Sequence, residues 1–63
     1  MSMFHLVESR FSSGPLAGQH VREIFPASTN SAALAMMKAR YPDAAQIRHV
    51  QQSTDRQELE DQL

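Results

Sequence analysis

Three kinds of side chain in this sequence could do chemistry. They are the imidazoles of His5, His20 and His49, the arginines Arg10, Arg22 and Arg48, and a few carboxylates, of which only Glu8, Glu23 and Asp43 precede residue 53. Three imidazoles on neighbouring strands are a pattern that binds zinc. Here they have no paired His or Cys spacing to support them, and the hairpin register derived below puts His5 and His20 on opposite faces. The expectation is therefore ordinary surface or half-buried histidines, with no metal and no cofactor. The hydroxyls of Ser12, Ser13, Ser28, Thr29 and Ser31 fall where loops and helix caps use them, and no glycine-rich phosphate loop precedes a helix. A chain of 63 residues also has little room to enclose a pocket. The reading is a protein that is not an enzyme.

Arg10, Arg22, His20 and Arg48 are a better lead, because they can share one face of a sheet. Net charge is −1 over the chain, but it is unevenly spread. Residues 53–63 carry four acids and one base, net −3, which leaves residues 1–52 with five bases and three acids, net +2. A mildly basic body with an acidic tail admits a nucleic-acid partner without demanding one, since phosphate binding relies on denser basic patches and RNA-binding sheets usually add stacking aromatics. Phe4 is the one aromatic on that face.

The elements that position these residues follow from the pattern. Residues 3–11, "MFHLVESRF", read as a strand with Met3, Val7 and Phe11 on one side and Phe4 and Leu6 on the other, and a strand apolar on both sides belongs in the middle of its sheet. "SSGPLAG" is a loop, and "QHVREIF" a second strand closed by Pro26. Pairing Phe11 with Gln19 sets Leu6 opposite Ile24, Glu8 opposite Arg22 and His5 opposite Phe25. One face then holds Met3, Val7, Phe11, Val21 and Phe25, and the other Phe4, Leu6, Ile24, Arg10, His20 and the Glu8–Arg22 pair. "STNS" offers helix N-caps, placed at Ser28 within two residues. The helix that follows presents Ala33, Leu34, Met37 and Tyr41 as its apolar stripe, with Ala32, Ala35 and Ala39 flanking it for close packing, and Pro42 ends it. "AAQIRHVQQ" is a third strand whose anchors Ile47 and Val50 do not alternate cleanly, the mark of an edge strand or a bulge.

The predicted fold is α+β: a β-β-α-β unit with a three-stranded antiparallel sheet in the order 2-1-3 and one helix on one face. Residues 1–52 form this single domain and residues 53–63 an acidic tail, flexible or briefly helical, with a frayed tail or a turn induced by a partner preferred because so short a helix is marginal in water. Without cysteine there is no disulfide framework, and with neither a leader pattern nor a long apolar run the expected setting is the cytoplasm, away from membranes.

One helix covers one face, so Phe4, Leu6 and Ile24 are expected to remain as an apolar patch rimmed by Arg10, His20 and Arg22. Such a patch suits a protein partner or a homodimer. The alternative is a second small cluster covered by the tail through Leu59 and Leu63. The stretch "GQHVREIFPASTNSAALAMMKARYPDAAQIRHV", through Phe25, Ala27, Ser28, Ala33, Tyr41, Pro42, Ile47 and Val50, resembles small phage-encoded β-β-α-β proteins, among them some anti-CRISPR proteins, and more distantly an archaeal ribosomal protein of the LX type. The phage resemblance implies a non-enzymatic inhibitor that occludes a surface of a host complex. It carries over no functional residue, and the few lysines here depart from the ribosomal pattern.

Overall fold

A computed structural model describes residues 3–63. Its elements run β1 (Phe4–Arg10), β2 (His20–Pro26), α1 (Asn30–Arg40), β3 (Gln46–Ser53) and α2 (Arg56–Glu60). The strands form one antiparallel sheet in the order β2-β1-β3, so the strand apolar on both sides is the central one. The hairpin register is the one its loop implies, with Leu6 opposite Ile24, Val7 opposite Glu23 and Glu8 opposite Arg22. Gly14 and Gly18 supply the left-handed conformations that the loop needs, at φ 80° and 82°.

On one face, α1 packs Ala33 and Met37 against Val7 and Phe25, with Val21, Ala27, Leu34, Tyr41 and Ile47 around them. Thr29 caps α1, its side-chain oxygen accepting from the Ala32 N–H at 3.1 Å, and Tyr41 terminates it before Pro42. The flanking alanines differ from expectation. Ala32 is half-buried, but Ala35 and Ala39 are exposed, because the helix leans on its 33/37 stripe.

β3 is an edge strand and is also bulged. Leu6 faces Gln51 while Val7 faces His49, which makes Val50 the extra residue. The spacing of three between Ile47 and Val50 puts Ile47 on the α1 side and Val50 in the cluster on the other, and the bulge sets Gln51, opposite Leu6, on the same face as Val50.

That other face is where the sequence reading needs correction. The tail folds as α2, capped by Asp55, whose carboxylate accepts from the Gln57 N–H at 3.0 Å. Leu59 is fully buried over Leu6 and Ile24, with Phe4 and Val50 at the edge. A five-residue helix has little stability alone, but burying a leucine contributes roughly 1.5–3 kcal/mol, and this burial anchors it. Leu63 does not take part and is 63% exposed. No helix among the described residues is long and apolar enough to cross a membrane.

Candidate functional site: an arginine cluster on the half-covered sheet face

α2 divides its face of the sheet into a covered apolar half and a bare polar half. In the covered half lie three of the residues expected to meet a partner. Leu6 is fully buried, Ile24 nearly so and Phe4 half-buried, so they form the floor under α2 and do not stand open. This corrects the expected apolar patch, and the reason is physical: the nearest apolar side chain able to cover it, Leu59, is in the same chain.

The bare half holds the other expected residues. Glu8 sits mid-strand on β1 with Arg22 opposite on β2 and Arg48 opposite on β3. Antiparallel pairing puts directly opposed side chains on one face within reach of each other. Arg22 Nε donates to Glu8 Oε2 at 3.1 Å, Arg48 Nη2 to Oε1 at 3.4 Å, and Arg10 Nε lies 3.9 Å from Oε1. The carboxylate is 8% exposed, while the arginine side chains are 40–68% exposed. The Arg22 hydrogen bond, with the charges of Arg48, Arg22 and Arg10, holds Glu8 below the usual carboxylate range against the opposing effect of its own burial. One anion thus orients three cations, and two positive charges are left over at the surface. Glu8, Arg10, Gln46 and Arg48 line a shallow cleft of about 240 Å³ between β1 and β3. His20, opposite Arg10 at the start of β2, is exposed at the edge.

Arg22 also joins the two halves, since its Nη1 donates to the Gln62 carbonyl at 3.0 Å just past α2. Gln62 in turn donates to the Gln51 side chain. The acids of α2, Glu58 and Glu60, and Asp61 after it, are exposed on this same side of the sheet. The face is therefore basic at one end and acidic at the other.

The histidines separate as expected for His5 and His20, but His5 is not a surface residue. It is 1% exposed on the α1 side, where its ring lies 5.2 Å from that of His49. Its Nε2 is 3.0 Å from the Ala27 carbonyl, which can only accept, so Nε2 carries hydrogen there, and its Nδ1 lies 3.0 Å from His49 Nε2. Burial first, and the charge His5 would carry second, push His49 below its ordinary value. The pair ties β1, β3 and the connection between β2 and α1 together. Sequence reasoning missed it because no short loop fixes how far β3 slides along β1, so the partners of His49 and of Gln46 could not be placed. Among the described residues no cluster of three metal-ligating side chains occurs. No protein family, curated protein or solved structure matches this chain.

Proposed function

We propose that this chain is a small, non-enzymatic interaction module that binds an acidic patch on a protein partner through Arg10, Arg22 and Arg48. The observation that carries this reading is the convergence of three guanidinium groups on one buried carboxylate. The geometry gathers the arginines on one face and leaves charge unspent, and arginine forks suit carboxylates in particular. The non-enzymatic part rests on the use already made of the reactive groups: Glu8 is held in ion pairs and the His5–His49 pair in hydrogen bonds. Such a protein acts by occupancy, and the mode of action we propose is occlusion of a surface on a larger complex, as an inhibitor of the anti-CRISPR kind would act.

A nucleic acid is the less favoured partner. An extended phosphate backbone crossing this face would meet Glu58, Glu60 and Asp61, and the aromatic suited to stacking, Phe4, is half-buried against the edge of the Leu59 cluster. A compact acidic patch meets only the arginines.

The test is fluorescence anisotropy with a labelled glutamate-rich peptide and a labelled single-stranded oligonucleotide, each at low and high salt. The peptide is expected to bind at low salt and to be lost with Arg10→Glu plus Arg48→Glu. Tighter binding of the oligonucleotide would replace the protein reading with the nucleic-acid one, and no binding of either at low ionic strength would end both.

A further inference from the structure

The same end of the sheet carries a second concavity, on the α1 side, that the arginine cluster does not involve. Phe11, Pro15, Leu16, Tyr41 and Pro42 line a groove of about 250 Å³, with Ser13, Arg40 and Asp43 at its rim. Its floor is the Phe11–Tyr41 pair, packed edge to face with ring centroids 5.7 Å apart. Both walls are fixed by the chain itself. The Gly18 N–H donates to the Phe11 carbonyl at 2.8 Å and the Gln19 N–H to the Leu16 carbonyl at 2.9 Å, which sets the loop wall. Lys38 Nζ donates to the Pro42 carbonyl at 2.9 Å and the Ala44 N–H to the Tyr41 carbonyl at 3.1 Å, which sets the opposite wall. A groove held open in this way costs little ordering when it is filled.

The two charges at the rim are not equivalent. Arg40 is engaged: its Nε lies 2.8 Å from Glu23 Oε1, and its guanidinium stands 6.0 Å from the Tyr41 ring centroid. Asp43 makes no ion pair among the described residues, and its carboxylate rests against Gly14, where a Cβ would lie 3.4 Å from Oδ2. The groove thus offers apolar and aromatic walls to a side-chain stem and one unspent carboxylate to its head. A long side chain with an apolar stem and a cationic end matches that arrangement. An acidic one would meet Asp43, and a purely apolar one would crowd the carboxylate without pairing it.

We propose that this groove binds a basic side chain of a partner polypeptide, arginine being the best fit because its planar guanidinium can lie along Tyr41 and pair with a carboxylate through two hydrogen bonds. The site is separate from the arginine cluster. A partner that used both would carry an acidic group for Arg10 and Arg48 and a basic anchor for Asp43.

The experiment is an NMR titration of the full chain with N-acetyl-arginine amide and with its citrulline and norleucine counterparts. The arginine compound is expected to bind with Kd on the order of millimolar, as a ligand of that size should, and to shift Phe11, Leu16, Tyr41 and Asp43. Asp43→Asn, an exposed substitution, is expected to weaken it about fivefold, in line with one partly exposed charge pair. Arg10→Glu plus Arg48→Glu should leave this binding intact, so failure of the arginine-cluster reading and failure of this one are distinguishable. Equal binding of citrulline or norleucine, no effect of Asp43→Asn, or no shifts in these residues would each overturn the proposal.

Discussion

The two faces of this sheet are built from the same central strand but are covered in different ways. On the α1 side an eleven-residue helix closes over Val7 and Phe25 with two fully buried side chains and a ring of partly buried ones. On the α2 side a five-residue helix reaches Leu6 and Ile24 through one leucine and leaves the arginine half bare. The contrast teaches that the extent of cover follows the number of side chains a helix can anchor, which grows with its length. It also shows that the partial cover is what leaves the arginine half at the surface.

The strongest way to break this comparison is to remove one anchor on each side. Met37→Ala takes a fully buried side chain from the α1 cluster and is expected to cost about 3 kcal/mol, a large share of the stability of so small a domain, read as a lowered urea midpoint. Leu59→Ala is expected to cost less, about 2 kcal/mol, because α2 can separate from the sheet as a unit. The same variant should bind a hydrophobic dye more strongly as Leu6 and Ile24 are uncovered. An equal loss from the two changes would mean that the faces fold as one cooperative layer.

A smaller effect separates the groove from the rest of the loop. Gly14→Ala and Gly18→Ala both place a Cβ at a left-handed φ and are each expected to cost about 1 kcal/mol in thermal unfolding. Only Gly14→Ala would set a methyl in contact with the Asp43 carboxylate, because Gly18 has nothing within reach of a Cβ, so only Gly14→Ala should also weaken arginine binding, and by less than Asp43→Asn.

The smallest effects lie in pH and sharpen the comparison further, since each face carries its own titrating group. His49, on the α1 side, titrates below its ordinary value of 6.5, so the folded chain holds fewer protons than the unfolded one. Its contribution is present above that pH and is lost as pH falls through the folded value. Glu8, on the α2 side, is also lowered, from 4.5, so its contribution persists to a lower pH and disappears as pH falls through the carboxylate range. Stability measured against pH should therefore fall in two steps, the first flattened by His49→Gln and the second by Glu8→Gln. Added salt should shrink the second step most, because the Glu8 partners are largely exposed.

Much of the fold is legible in the residues. The double-sided pattern of β1 names the central strand, and pairing Phe11 with Gln19 across the 12–18 loop brings Glu8 to Arg22. The site is legible only in part. Arg10, Arg22 and Arg48 could be placed on one face, but which half of that face stays open could not, because it turns on Leu59. The His5–His49 pair and the place of Gln46 beside Arg10 were hidden because the offset of β3 along β1 is set across the α1 crossover and not by a short loop. The groove was hidden because Phe11 and Tyr41 are thirty positions apart and meet only when α1 docks.

The sequence by itself determined the order β1-β2-α1-β3, the stop of α1 and the distribution of charge, because each depends on interactions between near neighbours or on the period of a strand or helix. The hairpin register followed only for one loop alignment, which a slip of one residue would invert. Tertiary structure decided which apolar face is covered, how three arginines share one carboxylate and where a carboxylate is left unpaired. Those outcomes depend on which distant side chains come within reach of one another when the layers pack, and on one bulge in an edge strand that shifts residues 51–53 by one position against β1.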